Sequence, residues 1–248
     1  MTTAFYAPPA SRHGKRIVLP DDEARHAVRV LRKRAGDEVV VIDGEGGWYR
    51  VRLDQVGDER AAGTVLETRR EVGEPSYALS VGVGLIKNRN RFETFVEKAV
   101  ELGVREIVPL HTARTEREGV KEERTRNVMV AAMKQCGRSR LPSLTAPRAL
   151  PEAITHVEAF DAVLVAHEQV DPTQSVRAAL AHAPDPARVR VLIGPEGGFT
   201  GDEVTMITEA GGTAVSLGPR RLRTETAGMA AAVAVQEALT AVRSPHSL

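Results

Sequence analysis

The sequence is poor in several features that mark particular classes of protein. It has one cysteine, Cys136, and only five phenylalanines, three tyrosines and one tryptophan among 248 residues. A single cysteine excludes an internal disulfide framework and a cysteine-rich zinc module, and it is typical of a reducing cytoplasm. There is no apolar run of 18 residues, and residues 1–10 lack a basic start followed by an apolar core, so we expect neither a membrane span nor a signal peptide. We therefore expect a cytoplasmic protein in which Cys136 is a small buried hydrophobic residue.

Several catalytic and nucleotide-binding motifs are also missing. The sequence contains no GxxxxGK[ST], no HExxH and no GxSxG. Gly82-Val83-Gly84 lacks the third glycine of the dinucleotide fingerprint. The seven histidines are dispersed along the chain, so we predict no metal site.

The formal net charge is only +1, but the charge is unevenly distributed. Residues 1–73 are nearly balanced, 74–150 carry 14 basic and 9 acidic side chains, and 151–248 carry 7 and 12. Such asymmetry is a hint of a polyanion-binding surface, although solvated helix faces also produce it. The middle segment has a cluster of arginines, whose geometry suits phosphate: Arg114, Arg117, Arg124, Arg126, Arg138 and Arg140.

The first 73 residues are rich in predicted strands. Apolar or alternating segments predict strands at 37–43, 48–53 and 62–67, separated by glycine-containing turns. An acidic first turn after Pro20 predicts one helix, with Ala24, Val28 and Leu31 facing inward. We predict a small β-barrel with one helix as a domain of residues 1–73, ending at the polar segment 71–75.

From residue 74 onward the pattern alternates between strands and helices, which predicts an α/β domain with a parallel sheet over 74–248. The inward positions of its first helix are Phe92, Phe95, Val96, Ala99 and Leu102. The predicted strands are 77–86, one starting at 107, 162–166, 189–193 and 213–217, and the predicted helices are 89–102, 120–135, 173–181, 202–210 and one from 225. Because ligands bind beyond the carboxyl ends of such strands, the segments after Ala166, Ile193 and Leu217 are the candidate site.

These three segments have different compositions. Residues 194–198, Gly-Pro-Glu-Gly-Gly, precede a predicted capping box from Thr200 to Glu203, and their glycines allow close backbone approach to a ligand. Residues 220–223 contain three arginines before a helix whose predicted N-cap is Thr224. His167 and Glu168 follow the third strand, where a lone histidine is more often structural. The helix at 227–235 has no polar face, so we expect it at the centre of the domain or in a subunit interface.

Four segments together resemble the bacterial ribosomal small subunit methyltransferase E family, SPOUT-class enzymes that methylate N3 of a uridine in 16S rRNA. They are Lys98-Ala-Val-Glu-Leu-Gly-Val104 with Pro109, Gln135-Cys-Gly-Arg-Ser-Arg-Leu-Pro142, Gly194-Pro-Glu-Gly-Gly-Phe199, and Leu217-Gly218 with Leu222-Arg-Thr-Glu-Thr-Ala227. The N-terminal part is similar to the family's PUA- or OB-like barrel. The chain departs from the family pattern at Lys134 and Arg221, and it has no arginine among residues 1–10.

The resemblance implies a C-terminal SPOUT domain with a trefoil knot, bound S-adenosyl-L-methionine, a homodimer formed through this domain, and 16S rRNA or the 30S subunit as substrate. We predict Arg223, Arg138 and Glu225 as catalytic residues, with Arg223 and then Arg138 stabilising the uracil anion. Glu225 or Glu196 is either the base or a carboxylate that orients an arginine, and we favour the orienting role. The expected cofactor-binding residues are Ala166, His167, Glu168, Ile193, Gly194, Pro195, Glu196, Gly197, Gly198, Leu217, Gly218, Leu222, Arg223 and Thr226.

Three other interpretations remain open. A SPOUT methyltransferase acting on another RNA, such as tRNA, would share the fold and cofactor. A non-catalytic rRNA-binding assembly factor would need the basic segment but not the intact glycine loop. A nucleotide-dependent enzyme with a Rossmann sheet is disfavoured by the incomplete glycine fingerprint.

Overall fold

The structure of the protein is a computed structural model that describes residues 4–57, 60–116, 119–183 and 186–243. The chain divides into two compact units. The first comprises residues 1–74 with 129–141, and the second comprises 75–128 with 142–248. No pattern in the sequence indicated that 129–141 group with the first unit, and the domains 1–73 and 74–248 stay a prediction.

The first unit is built on a six-stranded sheet with the order β1-β4-β5-β6-β3-β2. Its strands are β1 Phe5–Tyr6, β2 Arg12–His13, β3 Arg16–Val18, β4 Glu38–Ile42, β5 Gly47–Gly57 and β6 Arg60–Arg70. Along β5 the predicted alternation is confirmed, because Tyr49, Val51 and Leu53 are buried and Arg50 and Arg52 are exposed. This period of two places one face of the strand in a core of alanine, aliphatic and aromatic side chains.

The helix of the first unit differs from the prediction. Helix α1 spans Asp21–Arg25 and continues as a π-helical turn over His26–Val30, in which the Leu31 N–H donates to the His26 carbonyl at 3.0 Å. A π turn adds a residue to the repeat, so Ala27 is buried while Leu31 is exposed. The predicted inward position of Leu31 is therefore wrong, and Ala24 is confirmed as fully buried.

The second unit contains a parallel sheet with the order β10-β8-β7-β12-β11-β13 and with β9 beside β8, which confirms the predicted α/β fold. Its strands are β7 Ala78–Gly84, β8 Glu106–His111, β9 Ser143–Leu144, β10 Arg148–Ala149, β11 Ala162–Ala166, β12 Arg188–Ile193 and β13 Thr213–Val215. Its helices are α2 Arg89–Glu101, α4 Leu150–Ala153, α5 Val176–Leu180, α6 Gly201–Glu209 and α7 Thr224–Arg243. Helix α3, Glu122–Cys136, begins in this unit and ends in the first.

The central strands β7, β12 and β11 are buried on both faces, as the continuous apolar runs predict. In α2 the predicted inward residues Phe92, Phe95, Val96 and Ala99 are buried, whereas Leu102 caps the helix and is only half-buried. Among the described residues no helix combines the length and the apolarity needed to cross a membrane.

One expectation about the helices is wrong, and the expected burial of the helix at 227–235 is met at every position except Val233. Cys136 is exposed at the end of α3, because the helix turns this position away from the residues it buries. Helix α7 buries Ala231, Ala232, Val235 and Leu239, but Val233 is 43% exposed, so one apolar position of this helix remains uncovered within the single chain.

Candidate functional site

The three predicted loops lie at the same edge of the sheet. They follow β11, β12 and β13, which are adjacent parallel strands, so their carboxyl ends point the same way. The loops after β11 and β13 also contact each other, because the Arg221 guanidinium lies 3.7 Å from the Glu168 carboxylate. That ion pair is solvent-exposed and adds little stability, but it shows that the two loops are neighbours.

The glycine loop after β12 turns back tightly on itself. A Cβ atom on Gly194 would lie 2.7 Å from the Phe199 nitrogen and 2.8 Å from the Gly198 carbonyl carbon, so only glycine fits there. The loop then enters α6 through the predicted capping box, in which Thr200 and Glu203 each accept the backbone N–H of the other. Glu203 also accepts the Ala113 N–H at 2.7 Å, which ties this helix start to the segment after β8.

Two glycines of the site leave backbone accessible. Gly198 has φ +69° and Gly218 has φ +105°, and a Cβ atom on either would meet nothing within 4 Å. Both positions therefore favour glycine for conformation and stand beside open space. Exposed peptide groups of this kind suit an uncharged group such as an adenosyl moiety, which is recognised through backbone N–H and C=O groups. The residues present fit S-adenosyl-L-methionine on this ground.

Arg91 connects two of the loops, and sequence reasoning did not identify it as a site residue. Its Nε and Nη2 donate to the two oxygens of Glu225 at 2.8 and 2.6 Å, and its Nη1 lies 3.5 Å from Glu196 Oε1. The same Glu196 oxygen accepts the Lys87 N–H at 3.1 Å. One guanidinium thus holds a carboxylate of the glycine loop and one at the start of α7.

Helix packing explains why Arg91 reaches Glu225. Gly228 allows α7 to approach the ring of Phe95 in α2, because any Cβ atom at 228 would overlap that ring. Arg91 lies one turn before Phe95, and Glu225 lies one turn before Gly228, so the same close approach brings the two charged side chains together. The sequence signal was the position of Arg91 on the face of α2 that carries Phe92 and Phe95.

The electrostatics of Glu225 favour a carboxylate that stays ionised. Burial alone would raise the pKa of the Glu225 carboxyl, but hydrogen bonds from Arg91 and the backbone, with the positive charges of Arg91 and Arg223, lower that pKa below its ordinary value. The hydrogen bond to Glu225 in turn raises the pKa of Arg91. A carboxylate in this state is a weak base, so the geometry suits an orienting role.

Other cations surround the glycine loop. Arg114 Nη1 donates to the Gly197 carbonyl at 2.5 Å and its side chain packs against Gly197. Lys87 binds Glu116 at 2.6 Å, which raises the pKa of this lysine. The segments after β7 and β8 therefore contribute to the same edge of the sheet as the three predicted loops.

Most predicted site residues lie in this edge region. Arg223 and Thr226 are exposed, and Leu222 is half-buried, as its expected inward orientation requires. Helix α7 begins at Thr224, so the cap position is Arg223 rather than the predicted Thr224. The remaining predicted cofactor-binding residues are in or beside the three loops: Ala166, His167, Glu168, Ile193, Gly194, Pro195, Glu196, Gly197, Gly198, Leu217 and Gly218.

His167 has a structural environment. Its Nδ1 accepts the Gln169 N–H at 3.3 Å, and its own backbone N–H donates to Val215 of β13 at 3.1 Å. These bonds fix the turn after β11 and give the imidazole a local role.

Arg138 belongs to the first unit, whereas the three loops belong to the second. It is 3% exposed and binds Glu74, with distances of 2.7 and 3.2 Å to one carboxylate oxygen. A catalytic role for Arg138 would require this buried pair to open, because both side chains are almost fully enclosed.

The arginine cluster of the middle segment is largely ion-paired. Arg124 binds Glu93, and Arg140 binds Glu71, in addition to the pair formed by Arg138. Arg117 lies outside the described residues. These pairs reduce the free positive charge that the composition suggested. In the part of the chain that the structure describes, no cluster of three or more histidine, cysteine, aspartate or glutamate side chains is placed to hold a metal ion.

Comparisons with known proteins agree with the fold. An RNA methyltransferase domain model matches residues 73–236, and an RNA methyltransferase PUA domain model matches residues 19–66. A ribosomal RNA small subunit methyltransferase E from Mycobacterium bovis is 33% identical over 241 residues, covering 93% of this chain and 90% of that protein. The protein of the same name from Bacillus subtilis is 28% identical, with 88% of each chain covered.

Solved structures show the same architecture over almost the whole chain. A ribosomal RNA small subunit methyltransferase E from Neisseria gonorrhoeae bound to S-adenosyl methionine has a TM-score of 0.83 and 29% identity, covering 96% of this chain and 98% of that one. A probable rRNA-methyltransferase from Porphyromonas gingivalis has a TM-score of 0.85 and 32% identity, with coverage of 97% and 100%. The β-rich first unit, the parallel sheet of the second and the family models all agree, and the chain belongs to the ribosomal RNA small subunit methyltransferase E family.

Proposed function

We propose that this protein transfers a methyl group from S-adenosyl-L-methionine to N3 of a uridine in the 16S rRNA of the small ribosomal subunit, in the cytoplasm. The observation that carries the proposal is the edge of the sheet where open glycine backbone, the exposed Arg223 and the Arg91-bound carboxylates lie on adjacent loops. Family membership and the cofactor bound by the relative from Neisseria gonorrhoeae support it.

The residues that would hold the cofactor are the backbone of 193–198 and 217–218, the turn at 166–168, and the side chains of Leu222, Arg223 and Thr226. Gly198 and Gly218 leave room for a ligand to approach their peptide groups. When bound, S-adenosyl-L-methionine supplies an electrophilic methyl group on a positively charged sulfur. The trefoil knot implied by the family is part of this proposal, since it would bring the loops after β11, β12 and β13 around one ligand.

We assign Arg223 to stabilising the negative charge on the uracil ring after N3 loses its proton. N3 must lose its proton before it attacks, and the resulting negative charge spreads onto the O2 and O4 oxygens of the ring. A guanidinium beside either oxygen stabilises that charge more strongly in the reacting state than in the ground state. Arg223 is exposed and has no carboxylate partner at ion-pair distance among the described residues, so its donors are available for substrate.

Glu225 and Glu196 position Arg91 in this mechanism. Because Glu225 binds Arg91 through both oxygens, it has little tendency to take the N3 proton, which we assign to solvent water. The ion pair also fixes the start of α7, and therefore the preceding residue Arg223. Arg138 remains a second candidate for the anion, conditional on the opening of its pair with Glu74.

We also propose that the protein acts as a homodimer through its C-terminal domain. The uncovered Val233 on the small-residue helix α7 supports this, because burying it against a second copy would remove apolar area from water. Light scattering during gel filtration tests the proposal. A monomeric wild-type protein would contradict it, and Val233→Asp should shift a dimer towards monomer.

The decisive experiment incubates the protein with methyl-labelled S-adenosyl-L-methionine and 30S subunits, deproteinised 16S rRNA or tRNA. Digestion to nucleosides then identifies the modified base. We expect label in N3-methyluridine from small-subunit RNA. Label in tRNA would support a methyltransferase for another RNA, and no transfer to any RNA would support a non-catalytic rRNA-binding factor.

A further inference from the structure

The first unit contains a cavity of about 440 Å³ that the proposed reaction does not use. This volume is within the range of small-molecule sites, about 300–1,000 Å³. Its lining combines buried and exposed polar groups with small apolar ones: Ala7, Pro9, Arg12, Gly14, Ile17, Asp43, Glu45, Tyr49 and Arg70. All of these residues belong to the first unit, so the cavity is a property of that unit alone.

One side of the cavity is formed by a fixed arginine over an aromatic ring. The Arg12 guanidinium lies 5.0 Å from the centroid of Tyr49, and its Nη1 donates to the Tyr49 hydroxyl at 3.2 Å. Its Nε donates to the Gly14 carbonyl at 2.9 Å. The guanidinium is therefore held in place by three contacts, and a planar group of this kind is a platform on which a nucleobase stacks.

The buried carboxylate in the cavity is already satisfied. Asp43 accepts the N–H groups of Glu45 and Gly47 at 2.7 and 2.8 Å and the hydroxyl of Tyr49 at 2.9 Å. Burial and the hydrogen bond to Asp43 raise the pKa of Tyr49, so this hydroxyl keeps its proton. With three donors on its two oxygens, Asp43 shapes the cavity and does not serve as a ligand for a cation.

The exposed rim supplies both donors and acceptors. Arg70 donates to the Glu45 carbonyl at 3.4 Å, a long bond that leaves most of its N–H groups available. The Glu45 carboxylate has no ion-pair or hydrogen-bond partner among the residues that the structure describes. The lining holds two arginines and two carboxylates, so its formal charge is zero. A simple anion would be repelled by the two carboxylates, and a simple cation would be repelled by the two arginines. The lining suits a ligand with a stacking face, an N–H donor edge and an anionic group.

We propose that this cavity binds one unpaired guanine nucleotide of the RNA substrate. The base stacks on Arg12, its N1–H and N2–H groups donate to the Glu45 carboxylate, and its phosphate is bound by Arg70. Guanine is the natural base whose Watson–Crick edge offers two adjacent N–H donors to a carboxylate, whereas uracil and adenine present an acceptor there. The proposal rests on the proposed function in that the guanine belongs to the same RNA.

Binding of short RNAs to the full-length protein tests the site. The probes are fluorescein-labelled pentamers with guanine, adenine or uracil at the centre and two cytosines on each side. They are single-stranded, so the central base is unpaired. Their affinity is measured by fluorescence anisotropy at one fixed salt concentration. We expect the guanine pentamer to bind at least about fivefold more tightly than the other two, because only guanine donates two adjacent N–H groups to the Glu45 carboxylate and hydrogen bonds to a charged group are the stronger ones.

Three variants separate the site from general charge. Glu45→Ala should abolish the preference for guanine, and Arg12→Ala should weaken guanine binding about tenfold, because it removes the stacking platform. Arg16→Ala is the matched control, since Arg16 is a half-buried arginine of the same unit that binds Asp54 and lies outside the cavity lining. Arg12 and Glu45 are exposed, so we expect the variants to fold. Circular dichroism checks that each one is folded.

Equal affinity for the three pentamers, or the same loss in Arg12→Ala as in Arg16→Ala, would overturn the proposed site. The methyl-transfer assay is read separately. A protein that methylates small-subunit RNA without any guanine preference keeps its proposed function and loses this site. A protein that prefers guanine but methylates no RNA keeps this site as an RNA contact and loses the proposed reaction.

Discussion

Arg91 and Glu225 form a two-bond ion pair between the first turn of α2 and the first turn of α7, with N–O distances of 2.8 and 2.6 Å. Such paired bonds between a guanidinium and a carboxylate fix orientation as well as distance. Because Arg91 also reaches Glu196, the pair couples the glycine loop to the segment that carries Arg223. The geometry of the candidate site therefore depends on a residue that lies outside all three predicted loops.

Replacing Arg91 should weaken cofactor binding. Arg91→Ala leaves the largely buried Glu225 without its cation, which costs about 1–3 kcal/mol and frees both loops, so we expect the dissociation constant for S-adenosyl-L-methionine to rise about tenfold or more. Isothermal titration calorimetry measures this change. Arg89→Ala on the same helix turn is the control, because Arg89 is exposed. Equal affinities for both variants would show that the ion pair does not position the loops.

Glu225→Gln should reveal a pH-dependent contribution to stability. The folded pKa of Glu225 is lowered from its ordinary value of 4.5, so the stability supplied by the ionised carboxylate is present above about pH 4.5 and is lost as the pH falls through the lower, folded pKa. We expect the wild type to be more stable than Glu225→Gln at pH 6–8 and the difference to shrink below about pH 4.5. Urea unfolding at several pH values measures it, and a difference that stays constant into acid would contradict the pair.

Arg223→Ala should slow methyl transfer even when the cofactor is present at saturating concentration. If Arg223 stabilises the uracil anion, its loss should lower kcat about 100- to 1,000-fold, as for other groups that stabilise a developing negative charge. Single-turnover transfer to 30S subunits at saturating cofactor separates this effect from binding. Arg220→Ala provides the control in the same loop, since Arg220 is also exposed. Full transfer by Arg223→Ala with normal cofactor binding would refute the assignment.

Arg138→Ala should act on stability. Its side chain and that of Glu74 are 3% and 4% exposed, and removing one partner of a buried pair costs about 3–5 kcal/mol. Chemical denaturation measures the loss, and Arg148→Ala, at an exposed position, is the control. Arg138→Lys keeps the charge and should recover part of the stability. A folded Arg138→Lys that loses transfer with normal cofactor affinity would instead support the catalytic role predicted for Arg138.

Gly194→Ala should disrupt the glycine loop. The added methyl group would overlap the backbone of Gly198 and Phe199, which cannot move away as a flexible side chain would. We expect a loss of at least about 1 kcal/mol in the free energy of unfolding and little measurable cofactor binding. Gly201→Ala is the matched control at the start of α6, where a Cβ atom meets nothing within 4 Å and alanine favours the helix. Similar behaviour of the two variants would contradict the tight turn.

Local patterns determined most of the fold. Period-two alternation defined β5, and continuous apolar runs defined the buried parallel strands, because side-chain burial on one or both faces follows directly from strand geometry. The capping box at Thr200 and Glu203 was visible for the same reason, since both partners are three residues apart. The π turn after Arg25 was missed because its extra residue breaks the regular helical period.

The loops, with their glycines and arginines, were determined by the sequence itself, since strand ends, backbone freedom and charge are local properties. Tertiary structure alone decided which charges are neutralised. The ion pair of Arg91 and Glu225 joins residues 134 positions apart in the sequence, and that of Arg138 and Glu74 joins residues 64 positions apart. Electrostatic pairing depends on distance in space, and that distance is set by packing such as the approach of Gly228 to Phe95. The cavity around Arg12 and Glu45 likewise exists only because segments far apart in the chain line it together.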